Sequence, residues 1–139
     1  GIWSVHDVPP SLRKFVRGGA LGEDMIKIIS ASKLCLNTHG DFMRYGGNLR
    51  LFEAAGAGIC QLSDDLPGTR LWFPEIDGTP TIITYADEDD LHAKTAYYLA
   101  HDDQRQAIAQ AAQAHVYANH TYDRRAEQLD QLLSRSGGK

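Results

Sequence analysis

The chain has 139 residues and a formal net charge of −4, enough for one domain with a real core and too short for two. Hydrophobic residues make up 42% and charged residues 23%, an ordinary globular balance, and the acidic excess argues against a nucleic-acid surface, which would carry a basic patch. No apolar run approaches the roughly 20 residues that span a bilayer, and no basic segment leads into an apolar one as in a secretory signal. Cys35 and Cys60 both fall in expected core strands and read as buried free thiols of a reducing, cytoplasmic compartment. Two thiols and six scattered histidines do not supply a metal site, so no metal is expected.

In chain order, Trp3, Val5 and the Pro9-Pro10 pair predict an extended segment or edge strand and then a loop. A helical turn follows over Ser11–Val16, closed by Gly18-Gly19. Residues 1–21 are therefore expected to be an irregular preface, 22–135 the domain, and 136–139 a flexible tail. From Gly22 to Ser32, Glu23 and Asp24 in the first turn and Met25, Ile26, Ile28 and Ile29 beyond it predict a helix. Lys33–Thr38 is a strand-length apolar run, and Gly58–Ser63 is a second. Asp64-Asp65-Leu66-Pro67-Gly68 reads as a tight turn, after which Gly68–Phe73 carries Leu71, Trp72 and Phe73 inward. Asp77-Gly78 marks another turn, and Thr81–Tyr85 is a third strand, rich in β-branched residues. The remainder is helical: one helix capped by Asp87 or Asp89, one capped by Asp102 through Val116, and one capped by Thr121 that carries Leu129, Leu132 and Leu133. Tyr97, Tyr98, Tyr117 and Tyr122 are expected to pack and not to form a stacking platform.

The stretch Tyr45-Gly46-Gly47-Asn48-Leu49-Arg50-Leu51-Phe52-Glu53-Ala54-Ala55-Gly56-Ala57-Gly58, lying between the first two apolar runs, is the one the others surround. It predicts a glycine loop at a strand's end and then a short helix buried almost all round. Asn48 caps that helix, and the glycines allow φ > 0 and close approach of a ligand. Arg50 and Glu53, three residues apart, share one stripe. Free amides and the helix dipole at such a start favour a phosphate. The plainer alternative is a β-α-β crossover whose Arg50 and Glu53 only pair at the surface. Open α/β sheets place ligands outside the carboxyl ends of their strands, so His39, Asp41 and Arg44, just after the first strand, are further functional candidates, with His39 or Arg44 placed to touch a diphosphate or an acceptor.

Asn48-Leu49-Arg50-Leu51-Phe52-Glu53-Ala54-Ala55-Gly56-Ala57-Gly58, with Ser32-Lys33-Leu34-Cys35-Leu36-Asn37 before it and His120-Thr121-Tyr122-Asp123-Arg124-Arg125-Ala126 near the end, resembles the donor-binding half of GT-B glycosyltransferases. It is similar in particular to the bacterial "glycosyl transferases group 1" type related to spore-maturation proteins. The likeness runs from about Gly22 to Leu133. It implies a Rossmann-like three-layer α/β/α fold with a small parallel sheet, the second half of a two-domain enzyme that moves a sugar from a nucleotide diphosphate to an acceptor hydroxyl. By the resemblance Glu53 takes the ribose, while Asn48, Arg50 and the Gly46-Gly47 backbone take the diphosphate. His39, Arg44, Tyr45, Pro67 and Gly68 would line the cleft.

Many relatives carry Glu-x7-Glu across this motif, and Tyr45 stands where the first glutamate would be, so no donor-sugar contact is carried over. The branch that reads Asn-x-Arg-x-Phe-Glu is kept here by Asn48, Arg50, Phe52 and Glu53. The resemblance implies a UDP- or GDP-type sugar nucleotide as substrate, no covalently bound cofactor, and an N-terminal GT-B domain as missing partner. It leaves the catalytic residue unassigned. The chain is expected to be a piece that binds nucleotide weakly and turns over slowly alone, cytoplasmic or peripheral to a membrane in its full length, with a truncated sheet edge open to self-association. The competing class is a non-catalytic Rossmann-like or receiver-like interaction module, for which Asp64-Asp65 is the only candidate acidic pair at a strand end.

Overall fold

The computed structural model describes residues 2–3 and 8–136. Val5 and the tail at 137–139 lie outside the described residues. Strand β1 (Ile2–Trp3) pairs in parallel with β2 (Val16–Gly18) across a 3-10 helix at Pro10–Phe15. The main body runs α1 (Gly22–Ser30), β3 (Cys35–Asn37), α2 (Leu49–Gly56), β4 (Gln61–Asp64), α3 (Pro67–Trp72), β5 (Ile83–Tyr85), α4 (Glu88–Ala100), α5 (Asp102–Asn119) and α6 (Tyr122–Ser136). Strands β3, β4 and β5 form an open parallel sheet in that order, with Leu36 opposite Leu62 and Leu62 opposite Ile83. A small parallel sheet with helical crossovers is the Rossmann-like α/β arrangement that the alternation of apolar runs and helical patterns predicts. The preface is not wholly irregular, because its two short strands find each other and make a separate sheet.

Helix α2 is the hub of the packing. Leu51, Ala54 and Ala55 are sealed from solvent, a spacing of three and four residues that marks one helical face. Leu51 and Ala55 meet Ala112 and Val116 of α5 together with Phe73 and Ile82. Ala54 meets Ile29 of α1 and Ile59. A second cluster joins Cys60 and Leu62 to Ile83, Ile108 and Ala109. The helix is not buried all round, as its sequence suggests: Leu49, off that face, remains 61% exposed. Successive side chains of a strand point to opposite sides, so Leu62 joins the apolar cluster while Gln61 gives its amide to the Leu51 carbonyl at 2.8 Å.

Several local expectations are corrected. Leu71 is exposed, because α3 turns Thr69 and the following Phe73 inward instead. Helix α5 is capped by His101 without a side-chain bond. Asp102 sits inside its first turn and pairs with the buried Arg105 at 2.6 Å, whose guanidinium also donates to the Tyr98 carbonyl at 2.7 Å. Tyr98 packs against the core as expected, but Tyr97 and Tyr117 are exposed, and Tyr122, at the start of α6, is 87% exposed. Both thiols are free, Cys60 buried and Cys35 partly so. Burial pushes the Cys60 thiol up to about 11, against a smaller opposing pull from Arg105. Among the described residues no helix is long and apolar enough to cross a membrane.

The two leucines of α2 give a direct check on its orientation. Leu51→Ala should lower the free energy of unfolding by about 2–5 kcal/mol, the cost of deleting a fully buried leucine side chain, whereas Leu49→Ala should change it by less than about 0.5 kcal/mol. Urea unfolding of both variants measures this, and equal losses would contradict the packing described.

Candidate functional site

Two connections meet at the start of α2: the loop from β3 into α2 and the turn from β4 into α3. Asn48 is its cap: its extended backbone ends the loop and its Oδ1 accepts from the Leu51 amide at 3.3 Å. The N–H groups of Leu49 and Arg50, in the first helical turn, have no carbonyl within the helix to receive them. Gly46 and Gly47 precede the cap with φ of +95° and +97°, a left-handed pair that side chains disfavour. Gly47 has a second requirement, since a Cβ there would lie 1.8 Å from the Trp72 ring. Trp72 thus roofs the turn, with Tyr45 standing edge-on to it at 5.8 Å between ring centroids. Gly68, at the start of α3, donates its amide to the Tyr45 carbonyl at 2.7 Å, so the α3 turn buttresses the glycine turn from the other side.

The loop after β3 reaches under the same turn through His39, whose side chain is only 1% exposed. Its ring Nδ1 lies 2.6 Å from Asp64 Oδ1 and its backbone amide donates to Asp64 Oδ2 at 3.0 Å. The other ring nitrogen, Nε2, accepts from the Gly47 amide at 2.9 Å and more weakly from Asn48 at 3.4 Å. Ser63 donates to Asp64 Oδ1 at 3.0 Å, and Asn37 donates to Ser63 at 3.3 Å. Burial pushes the Asp64 carboxyl upward, but the hydrogen bonds from the His39 ring, the His39 amide and Ser63 outweigh it and hold the group below the usual carboxylate range. Tyr85, from β5, moves the other way through burial and the nearby Asp64 charge.

The candidate residues divide among three openings around this hub. Asn48 and Arg50 line a cavity of about 740 Å³ with Met25, Leu36 and Thr38, where the Arg50 guanidinium lies against the Met25 thioether. Glu53 lines a mainly apolar cavity of about 470 Å³ with Leu49, Phe52, His120, Tyr122 and Arg125. His39, Asp41 and Arg44 line a third, of about 320 Å³, with Asp64 and Leu66. Arg50 and Glu53 bridge the first two at 3.6 Å. Tyr45, Gly46, Gly47, Pro67 and Gly68 line none of the three; Gly46, Gly47 and Gly68 form the joint between loops. The amides of Gly47 and Asn48 are turned inward to His39, which leaves the Leu49 and Arg50 amides as the donors of this helix start with no partner inside the helix.

Sequence reasoning left five contributors out of the site. Asp64 holds His39, a pairing visible only once β3 and β4 are known to be neighbours, since both residues lie at the carboxyl ends of adjacent parallel strands. Trp72 is an apolar residue whose role as a roof depends on where α3 turns. His120, Tyr122 and Arg125 wall the cavity of Glu53, and the signal for them was the His120-Thr121-Tyr122 segment itself. His120 is held below its ordinary range first by burial and then by Arg125 and His115. Its ring lies 5.1 Å from that of Phe52 and 2.6 Å from an Arg125 nitrogen. Among the described residues no three His, Cys, Asp or Glu side chains gather as metal ligands.

A family model described as "Glycosyl transferase-like" matches residues 3–131. No curated protein matches the chain significantly.

The roof over the turn can be tested by one methyl group. Gly47→Ala should destabilise the fold by more than the roughly 1–2 kcal/mol of left-handed strain alone, because the Trp72 indole must also move. A denaturant midpoint unchanged from the parent would contradict the contact.

Proposed function

Because this chain belongs to the glycosyl transferase-like family, we propose that it is the donor-binding part of a two-domain GT-B glycosyltransferase, taking a nucleoside diphosphate sugar against the start of α2. The observation that carries this reading is the placement of Glu53. Its carboxylate borders a largely apolar cavity one and a half turns from an Asn48-capped helix start. A sugar nucleotide needs those two features at that separation: donors for a diphosphate and an acceptor for ribose hydroxyls. In this reading the Leu49 and Arg50 amides and the Arg50 guanidinium face the diphosphate, which leaves as an anion and is stabilised by preorganised donors and the helix dipole. Glu53 accepts from the ribose, while Leu49, Phe52 and Tyr122 offer apolar surface for the base. Arg44 and Asp41 border the third cavity, toward the acceptor. No metal enters the scheme.

The group that activates the acceptor hydroxyl belongs, in this reading, to the companion domain. This chain alone then binds nucleotide weakly and turns over slowly. The receiver-like alternative is disfavoured by the state of its acidic pair, because Asp64 is tied to His39 and Asp65 is paired with Arg70.

Calorimetric titration with UDP and GDP tests the proposal. One of them should bind in the micromolar-to-millimolar range, roughly −4 to −8 kcal/mol. Glu53→Ala should weaken that binding about tenfold or more, as expected for a lost hydrogen bond to a charged group. No heat and no spectral change at millimolar nucleotide would overturn the reading, and a Glu53→Ala protein that binds like the parent would remove Glu53 from the ribose.

A further inference from the structure

We propose that His39 is a positioning residue that fixes the Gly46–Gly47 turn from inside the fold; the consequence for ligand binding rests on the donor-binding reading, the mechanism on geometry alone. The surroundings of the ring set its tautomer. Nε2 faces two amide donors, Gly47 at 2.9 Å and Asn48 at 3.4 Å, so it must be the acceptor, and the proton sits on Nδ1, directed at Asp64 Oδ1 2.6 Å away. With both nitrogens engaged and the side chain enclosed, His39 has no lone pair or proton to offer a substrate. It therefore acts through the turn and not on a reacting atom.

The anchor behind it is rigid. Asp64 receives three hydrogen bonds: the ring and backbone amide of His39 and the hydroxyl of Ser63. Ser63 in turn is held by Asn37 across the β3–β4 pair. Two successive glycines with φ near +95° have more freedom than any other dipeptide, and a ligand that needs one of their conformations must bear the ordering cost when it binds. The Asp64–His39 arm fixes that conformation beforehand, referring the turn to the sheet. Charged and titratable groups facing the ring's surroundings are Asp64 from β4, Asp41 and Arg44 from its own loop, and Tyr85 from β5.

The test uses the ¹⁵N-labelled chain. Ring correlations should show the Nδ1–H tautomer. In a folded His39→Ala protein, Gly47 amide exchange should accelerate at least tenfold and UDP or GDP, whichever the parent takes, should bind at least tenfold more weakly. His39→Gln, which keeps an acceptor and a donor, should recover part of both. An Nε2–H tautomer, or a His39→Ala protein with Gly47 still protected and unchanged affinity, would overturn the proposal. Should His39→Ala fail to fold, the ring tautomer decides: an Nε2–H ring cannot accept from the Gly47 amide and would overturn the proposal. A parent that binds neither nucleotide yet protects Gly47 through His39 would sink the donor reading and leave the hold on the turn standing.

Discussion

Two amide hydrogens at the entrance of α2 point inward to a histidine ring, and that ring is pinned to a carboxylate at the end of the neighbouring strand. Buried polar groups of this kind stabilise only when every member is satisfied. Here the chain from Asn37 through Ser63, Asp64 and His39 to Gly47 is complete. Its effect is to tie both the start and the end of the β3–α2 loop to the carboxyl end of β4, so that one surface forms at the carboxyl edge of the sheet. The glycine turn can be left-handed and still single-valued because it is tied below by His39 and roofed above by Trp72.

The same helix serves the core and the candidate site by using different faces. Leu51, Ala54 and Ala55 hold it between α1 and α5, which fixes the direction of its axis. Arg50 and Glu53, on the remaining arc, then border two separate cavities while pairing at 3.6 Å. A ligand with an anionic middle and a hydroxylated end could straddle that pair, and this shape is what ties the family membership to a sugar nucleotide in the proposal above.

Much of this was legible from local chemistry. Asn48 before an apolar run gave the cap and the start of α2; the β-branched run ending at Tyr85 gave β5; Asp87 and Thr121 gave caps that the structure bears out. These signals act over three or four residues, so no tertiary knowledge is needed to read them. The His39–Asp64 pair spans 25 residues and exists only because β3 and β4 are adjacent, a fact no local pattern carries. The placement of Leu49 and Tyr122 on the surface was equally hidden, since hydrophobicity states what a side chain prefers and not whether a partner surface is there to cover it. Glu53 and Arg50 could be assigned to one stripe, but their division between two cavities depends on where α1 and α6 come to rest.

The central claim is that the start of α2, with Glu53 beyond it, is built to hold a sugar nucleotide, and a crystal structure of the chain grown with UDP or GDP tests it most directly. The account predicts density for the diphosphate against the Leu49 and Arg50 amides with ribose oxygens within hydrogen-bonding distance of Glu53. Nucleotide seated elsewhere, for instance along the exposed edge of β3, with Glu53 untouched, would contradict it.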